Sequence, residues 1–106
     1  MMPLPSEIDV EKALEGLVET DERFAQASAR QVAAKEGLKV ARAKAMPAVG
    51  TVAQREASAL MSAEYALALD ELRTAEFEKT LMHLRRQNWQ TQIDVWRSLN
   101  ANQRRA

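Results

Sequence analysis

Ala45-Met46-Pro47-Ala48-Val49-Gly50-Thr51-Val52-Ala53-Gln54 is the stretch whose reading decides the fold. Pro47 has no backbone N–H and pushes Met46 out of the α region, so a helix arriving from the N-terminal side stops at about Met46. Ala48-Val49-Gly50 completes a turn. Thr51 followed three residues later by Gln54 is a capping-box pattern, in which the hydroxyl and the amide each satisfy a backbone N–H that the first turn leaves without a partner. A second helix therefore starts at Val52, and the chain doubles back on itself.

Toward the N-terminus, Leu14, Leu17, Val18, Phe24, Val32, Leu38 and Val40 extend a helical pattern back to Glu7. Pro3 and Pro5 keep residues 1–6 extended, and Ser6-Glu7-Ile8-Asp9 reads as the helix start. Ser6 accepts from an orphan N–H there, and the acids favour the positive end of the helix. Gly16 and Gly37 lie inside this arm, each costing about 1 kcal/mol against Ala. Each permits a close approach or a bend, or is simply tolerated. Toward the C-terminus no Pro or Gly interrupts the pattern from Val52 to about Asn102, with Ser58 and Ser62 as the weak points. The expectation is an all-α long antiparallel helical hairpin, with a kink or a third helix near Ser62 as its variant. Residues 1–106 form a single helical domain: extended 1–6, arm 7–46, turn 47–51, arm 52–102. At 1.5 Å per residue the arms are about 60 and 75 Å long. Pairing across the turn uses up the second arm near residue 90, so the last fifteen or so residues project past the hairpin or curl around its open end. The hydrophobic spacing drifts from a strict heptad, which argues against a long two-stranded coiled coil.

Charge supports the doubling back. Residues 1–22 carry seven acids and one Lys, residues 23–55 seven bases and one acid, residues 56–78 six acids and one Arg, and residues 79–106 six bases and one Asp. The net charge is zero, and the hairpin sets each block against one of opposite sign. Glu7, Glu11, Glu15 and Glu19 repel one another at i, i+4 spacing, and Lys79, Arg85 and Arg86 are the expected counterparts across the hairpin. Lys35, Lys39 and Arg42 are answered in the same way by Glu56, Glu64, Asp70 and Glu71.

The apolar fraction includes 19 Ala, which bury little area, and a lone hairpin of 106 residues has a thin core. Leu67, Leu69, Leu72, Phe77, Leu81 and Leu84 spread around more than one helix face, so one arm cannot cover them all and a homo-oligomer is expected. There is no Cys, hence neither a disulfide nor a thiolate metal site. No stretch approaches the length of a membrane span, and the N-terminus lacks the regions of a signal peptide, so a cytoplasmic location is expected.

The C-terminal tract carries the candidate site. Trp89, Ile93 and Trp96 stand at i, i+4, i+7 on one helix face, amid Arg85, Arg86, Arg97, Arg104 and Arg105. Bases interleaved with aromatics suit single-stranded nucleic acid, through phosphate contacts and base stacking. Trp and Arg are equally the residues of protein interface centres, and tryptophans at this spacing also suit a bundle core or an oligomer seam. Catalysis finds no support. His83, the lone His, has no carboxylate one turn away, and there is no glycine-rich phosphate loop. No enzyme activity, cofactor, metal site or small-molecule substrate is expected.

Two stretches resemble a known group. Gly50-Thr51-Val52-Ala53-Gln54-Arg55-Glu56-Ala57, followed by Ser62 and Tyr65, resembles a segment of small helical phage early-region proteins. Val95-Trp96-Arg97-Ser98-Leu99-Asn100-Ala101-Asn102-Gln103-Arg104 resembles their basic C-terminus. Such proteins are associated with DNA replication and recombination gene clusters, beside single-strand DNA-binding proteins, recombinases and nucleases. The resemblance implies a non-enzymatic accessory role in the bacterial host cell, binding single-stranded DNA, its binding protein or a recombinase. A small inhibitor of a host defence protein and a structural or scaffolding helical protein are the alternatives.

Overall fold

The computed structural model describes residues 4–105, with side chains through Gln103. Three helices follow one another: α1 Glu7–Ala45, α2 Val52–Leu60 and α3 Ala63–Arg105, and α1 packs against α3 in a hairpin. The expected second arm is thus two helices, in the variant that breaks near Ser62. The expected extended segment is described only over Leu4–Ser6; Met1–Pro3, with Pro3 and its restraint on the backbone, lie outside the described residues.

Each boundary has a local chemical cause. At the start of α1 the Asp9 N–H donates to Ser6 Oγ at 3.2 Å and the Ser6 N–H donates to Asp9 Oδ2 at 2.9 Å, a reciprocal cap. The Ser6 backbone hydrogen bond, then the Ser6 side chain, hold the Asp9 carboxyl below its ordinary value of 3.8. At the other end Arg42 and Lys44 lie in the last turn, where the carbonyl end of the helix favours cations. Gly50 has φ +119°, a backbone that a side chain would strain. Thr51 and Gln54 form the expected capping box on α2, and Arg55 Nε donates to Pro47 O at 2.6 Å, fastening the turn.

The break between α2 and α3 is the work of one hydroxyl. Ser62 Oγ donates to Ala59 O at 2.7 Å and accepts from the Tyr65 N–H at 3.1 Å. It therefore adds a second donor to the Ala59 carbonyl, which the Ser62 N–H also reaches at 3.1 Å, and satisfies an orphan N–H of the helix that begins.

Two compact units are present, one formed by the chain up to Ala25 with the chain from Thr80, the other by Gln26–Lys79. In the first, Val10, Ala13 and Ile93 are buried, with Leu17, Trp89 and Trp96 packed against them. In the second, Ala59, Leu72 and Ala75 are buried, Arg30 pairs with Glu78 at 2.7 Å, Arg42 with Glu56 at 3.7 Å, and Lys79 Nζ donates to Gln31 Oε1 at 2.9 Å.

Burial along the helices shows which positions face inward. The shielded positions of α1 include the row Val10, Ala13, Leu17, Thr20, Phe24, Ala27, Gln31, Ala34, Leu38, Ala41, Ala45, with Gly16 and Ser28 beside it. Those of α3 include the row Tyr65, Ala68, Leu72, Ala75, Lys79, Met82, Arg86, Trp89, Ile93, Trp96, Asn100, with Leu69, Glu76, Gln92 and Leu99 beside it. Both rows alternate steps of three and four, the seven-residue repeat of a helix–helix seam. The pattern is hidden from hydropathy because Ala, Thr20, Gln31, Lys79, Arg86 and Asn100 occupy seam positions. Leu14, Val18, Val32, Leu67, Phe77 and Leu84 are large, apolar and exposed.

Candidate interaction surface

The sequence places Arg85, Arg86, Trp89, Ile93, Trp96, Arg97, Arg104 and Arg105 on one candidate surface, and the structure sorts them into distinct environments. Ile93 is 3% exposed and belongs to the core with Val10 and Ala13. Trp89 and Trp96 are half-buried against that cluster. The tract therefore does not overhang the hairpin: with Val10 and Ala13 meeting Ile93 and Trp96, the pairing runs well past residue 90. The pairing within this unit is thus shifted from the one counted across the turn.

Trp89 sits where it does because of Gly16. A Cβ added to Gly16 would lie 2.8 Å from indole carbons of Trp89, far inside contact distance. The glycine thus opens a seat in the backbone of α1 for the flat face of the ring. Gly37 has nothing within 4 Å of the same position and is simply tolerated.

Arg86 is held by α1 on four sides. Its Nη1 donates to Leu17 O and to Thr20 Oγ1, each at 2.9 Å, its Nη2 donates to Asp21, and its guanidinium carbon lies 5.3 Å from the centre of the Phe24 ring. Thr20 is free to accept because its own hydroxyl proton is given to Gly16 O at 2.6 Å. The fork geometry of the guanidinium fits this set of acceptors and the aromatic face together, which an ammonium would not. His83 stacks on the same Phe24 ring with centroids 6.2 Å apart. Sequence reading missed Thr20, Asp21 and Phe24 as the surroundings of Arg86; a Thr and an Asp one residue apart in a Glu-rich helix were the visible signal.

The expected partners of the glutamate row are not those observed. Arg86 pairs with Asp21, Lys79 bonds Gln31, and neither forms an ion pair with Glu11, Glu15 or Glu19. Opposite blocks do meet as anticipated, through Arg86–Asp21 in one unit and through Arg30–Glu78 and Arg42–Glu56 in the other. Arg85 and Arg97 are exposed, and neither takes part in an ion pair among the described residues. Arg104 and Arg105 are in α3, their side chains outside the described residues.

The exposed side chains along the C-terminal half of α3 are mixed: Arg85, Asn88, Arg97 and Ser98 together with the apolar Leu84 and Val95, and Trp89 and Trp96 are only half-buried. No helix among the described residues is long and apolar enough to cross a membrane. Comparison of the chain with protein families, curated proteins and solved structures finds no match.

Proposed function

We propose that this chain is a non-enzymatic accessory protein of phage DNA replication or recombination that works by binding a protein, namely a single-strand DNA-binding protein or a recombinase. The phage setting rests on the resemblance of residues 50–104. The choice of a protein ligand rests on one observation, the seating of Trp89 and Trp96 against α1. Nonspecific binding of single strands draws much of its energy from bases stacking on free aromatic faces. Here the rings already pack against the Val10, Ala13 and Ile93 cluster, and Arg97, the residue after Trp96, is exposed. Half-shielded aromatics next to an available guanidinium suit the centre of a protein interface.

The test uses the tagged chain expressed during infection by its own phage, with co-purifying proteins identified by mass spectrometry. Enrichment of a single-strand DNA-binding protein or recombinase, lost in the Arg85→Ala/Arg97→Ala variant, is the expected result. In parallel, oligo(dT) is titrated against the tryptophan fluorescence of the pure protein. Tight quenching that collapses between 50 and 200 mM salt, as phosphate-driven binding does, would replace the protein reading by direct DNA binding. Specific enrichment of a host defence protein would replace it by inhibition of that protein.

A further inference from the structure

The unit formed by Gln26–Lys79 keeps an open groove between α1 and α3. Arg30, Ala33, Ala34 and Gly37 line it from α1, Ala68 and Glu71 line it from α3, and its volume is about 190 Å³. A Cβ added to Gly37 meets nothing within 4 Å. Within one chain that glycine is therefore tolerated rather than needed, although Gly costs a helix interior about 1 kcal/mol against Ala. Two larger apolar side chains stand at the edge of the groove. Val40 lies seven residues after Ala33 and three after Gly37, and Leu67 lies four before Glu71, so each shares a helix side with lining residues. They are 49 and 73% exposed. One repeat further along, the two rows turn polar, at Gln26 and Thr74.

We propose that this groove is an interface for a second copy of the chain, in which the Gln26–Ala45 length of α1 in each copy lies on the Ala63–Lys79 length of α3 in the other. Charge selects both the occupant and the arrangement. Residues 26–45 carry five bases and one acid, and residues 63–79 carry five acids and two bases. An occupant has to present acids to the α1 wall and bases to the α3 wall, and the same surface of another copy has that layout. A twofold axis along the helices sets α1 on α3 twice over and closes the pair. A twofold axis across the helices sets α1 on α1 and α3 on α3, like on like, which costs affinity and mis-specifies the partner. The heights agree. Arg30 meets Glu78 at 2.7 Å within one chain. Antiparallel counting from that pair makes Val40 level with Ala68, next to Leu67, and Lys44 level with Glu64. An axis along the helices keeps these levels between copies, so Leu67 of one copy comes to Val40 of the other, at the groove that Gly37 leaves open. Lys44, Glu64 and Glu71 take part in no ion pair among the described residues, and Glu36, the one acid of this length of α1, is held by Lys39. This inference is independent of the proposed function, whose test residues Arg85 and Arg97 belong to the other unit.

Sedimentation of the pure full-length chain across micromolar concentrations tests it. A reversible dimer is expected. Gly37→Leu should weaken it at least tenfold by filling the groove, with helical content by circular dichroism unchanged, because the added side chain starts in open space. A single methyl would leave most of the groove open, so leucine is the informative change. Leu67→Glu should weaken the dimer to a similar degree and alters a side chain that the single chain leaves exposed. Lys44→Glu should weaken it as well, and Lys44→Glu/Glu64→Lys should restore it. The chain has no Cys, so single cysteines report the arrangement without background. Val40→Cys and Leu67→Cys chains, mixed and mildly oxidised, should cross-link to each other and not to themselves. A monomer at all concentrations, a dimer indifferent to both Gly37→Leu and Leu67→Glu, or Val40→Cys cross-linking mainly to itself would each overturn the proposal.

Discussion

Gly16 and Gly37 are the same residue in the same helix and should respond oppositely to the same change. Ala has a helix propensity about 1 kcal/mol better than Gly, and at Gly37, where the added methyl meets nothing within 4 Å, that gain should appear as increased stability. At Gly16 the methyl would sit 2.8 Å from the Trp89 ring. Displacing an indole from a packed seat costs about 1–3 kcal/mol, which outweighs the propensity. Urea unfolding of Gly16→Ala and Gly37→Ala should therefore move the midpoint down and up respectively; two upward shifts would mean that the ring is not seated on the helix backbone. Arg86 makes a second residue-scale case. Arg86→Ala leaves the Leu17 carbonyl and Thr20 hydroxyl without their donor and uncovers Phe24. Hydrogen bonds from a charged donor contribute about 1.5–3 kcal/mol when partly shielded, and a loss in the lower part of that range is expected. Arg86→Lys should recover less than half of it, because one ammonium cannot reach all the acceptors and cover the ring. Full recovery would show that only the charge matters.

Element ends were legible in the sequence wherever side chain and backbone satisfy each other locally. Pro47, Gly50 and the Thr51–Gln54 pair read as a turn and a cap, and they form one. Ser62 was visible as a weak point, but whether a serine inside a helical pattern caps or is tolerated depends on tertiary packing, so the sequence left two options there. The seam was not legible, because packing selects seam residues by size and reach as well as by hydropathy. Gly16 makes room for the Trp89 indole, and Arg86 lies at a seam position with both terminal nitrogens hydrogen-bonded. At the candidate site the spacing of Trp89, Ile93 and Trp96 marks one face but leaves open whether it is core, oligomer seam or binding surface, and packing makes it the inner one. The α1 cap yields a prediction about pH. The Asp9 carboxyl is held below 3.8 by the Ser6 backbone and side-chain hydrogen bonds. A group whose folded pKa is depressed contributes stability that is present above its unfolded value and lost as pH falls through the folded one. Acidification below 3.8 should thus fray Glu7–Val10 ahead of the rest of α1, with the titration of the Asp9 side chain followed by NMR. Asp9→Asn should remove that step, and an Asp9 that titrates at or above 3.8 would argue that the cap is not formed.

For the whole molecule, the charge layout and the two compact units coincide. The block boundaries near residues 22 and 78 fall within a helical turn of the unit boundaries at Ala25 and Lys79. Each unit therefore combines one acidic and one basic length of chain. Surface ion pairs contribute only about 0–1 kcal/mol each, so this layout sets which lengths meet more than how firmly they hold. Apolar contact does the holding, and in the unit formed by the two ends of the chain it comes from few side chains. Truncation after Gln87 removes Trp89, Ile93 and Trp96 together, which uncovers Val10, Ala13 and Leu17. An isolated helix of one to two dozen residues is marginal in water, and the Glu7–Asp21 portion adds self-repelling acids. Hydrogen exchange in the truncated chain should show residues 7–25 losing most of their protection while residues 26–79 keep theirs. Retained protection over 7–25 would mean that α1 stands without α3 in this unit. Collapse of both units would mean that they fold as one cooperative body. The truncation destroys the scaffold along with the surface, as Trp89→Ala would in part. Only changes at exposed side chains such as Arg85 and Arg97, made in a chain whose exchange pattern is otherwise intact, separate a lost ligand from a lost fold.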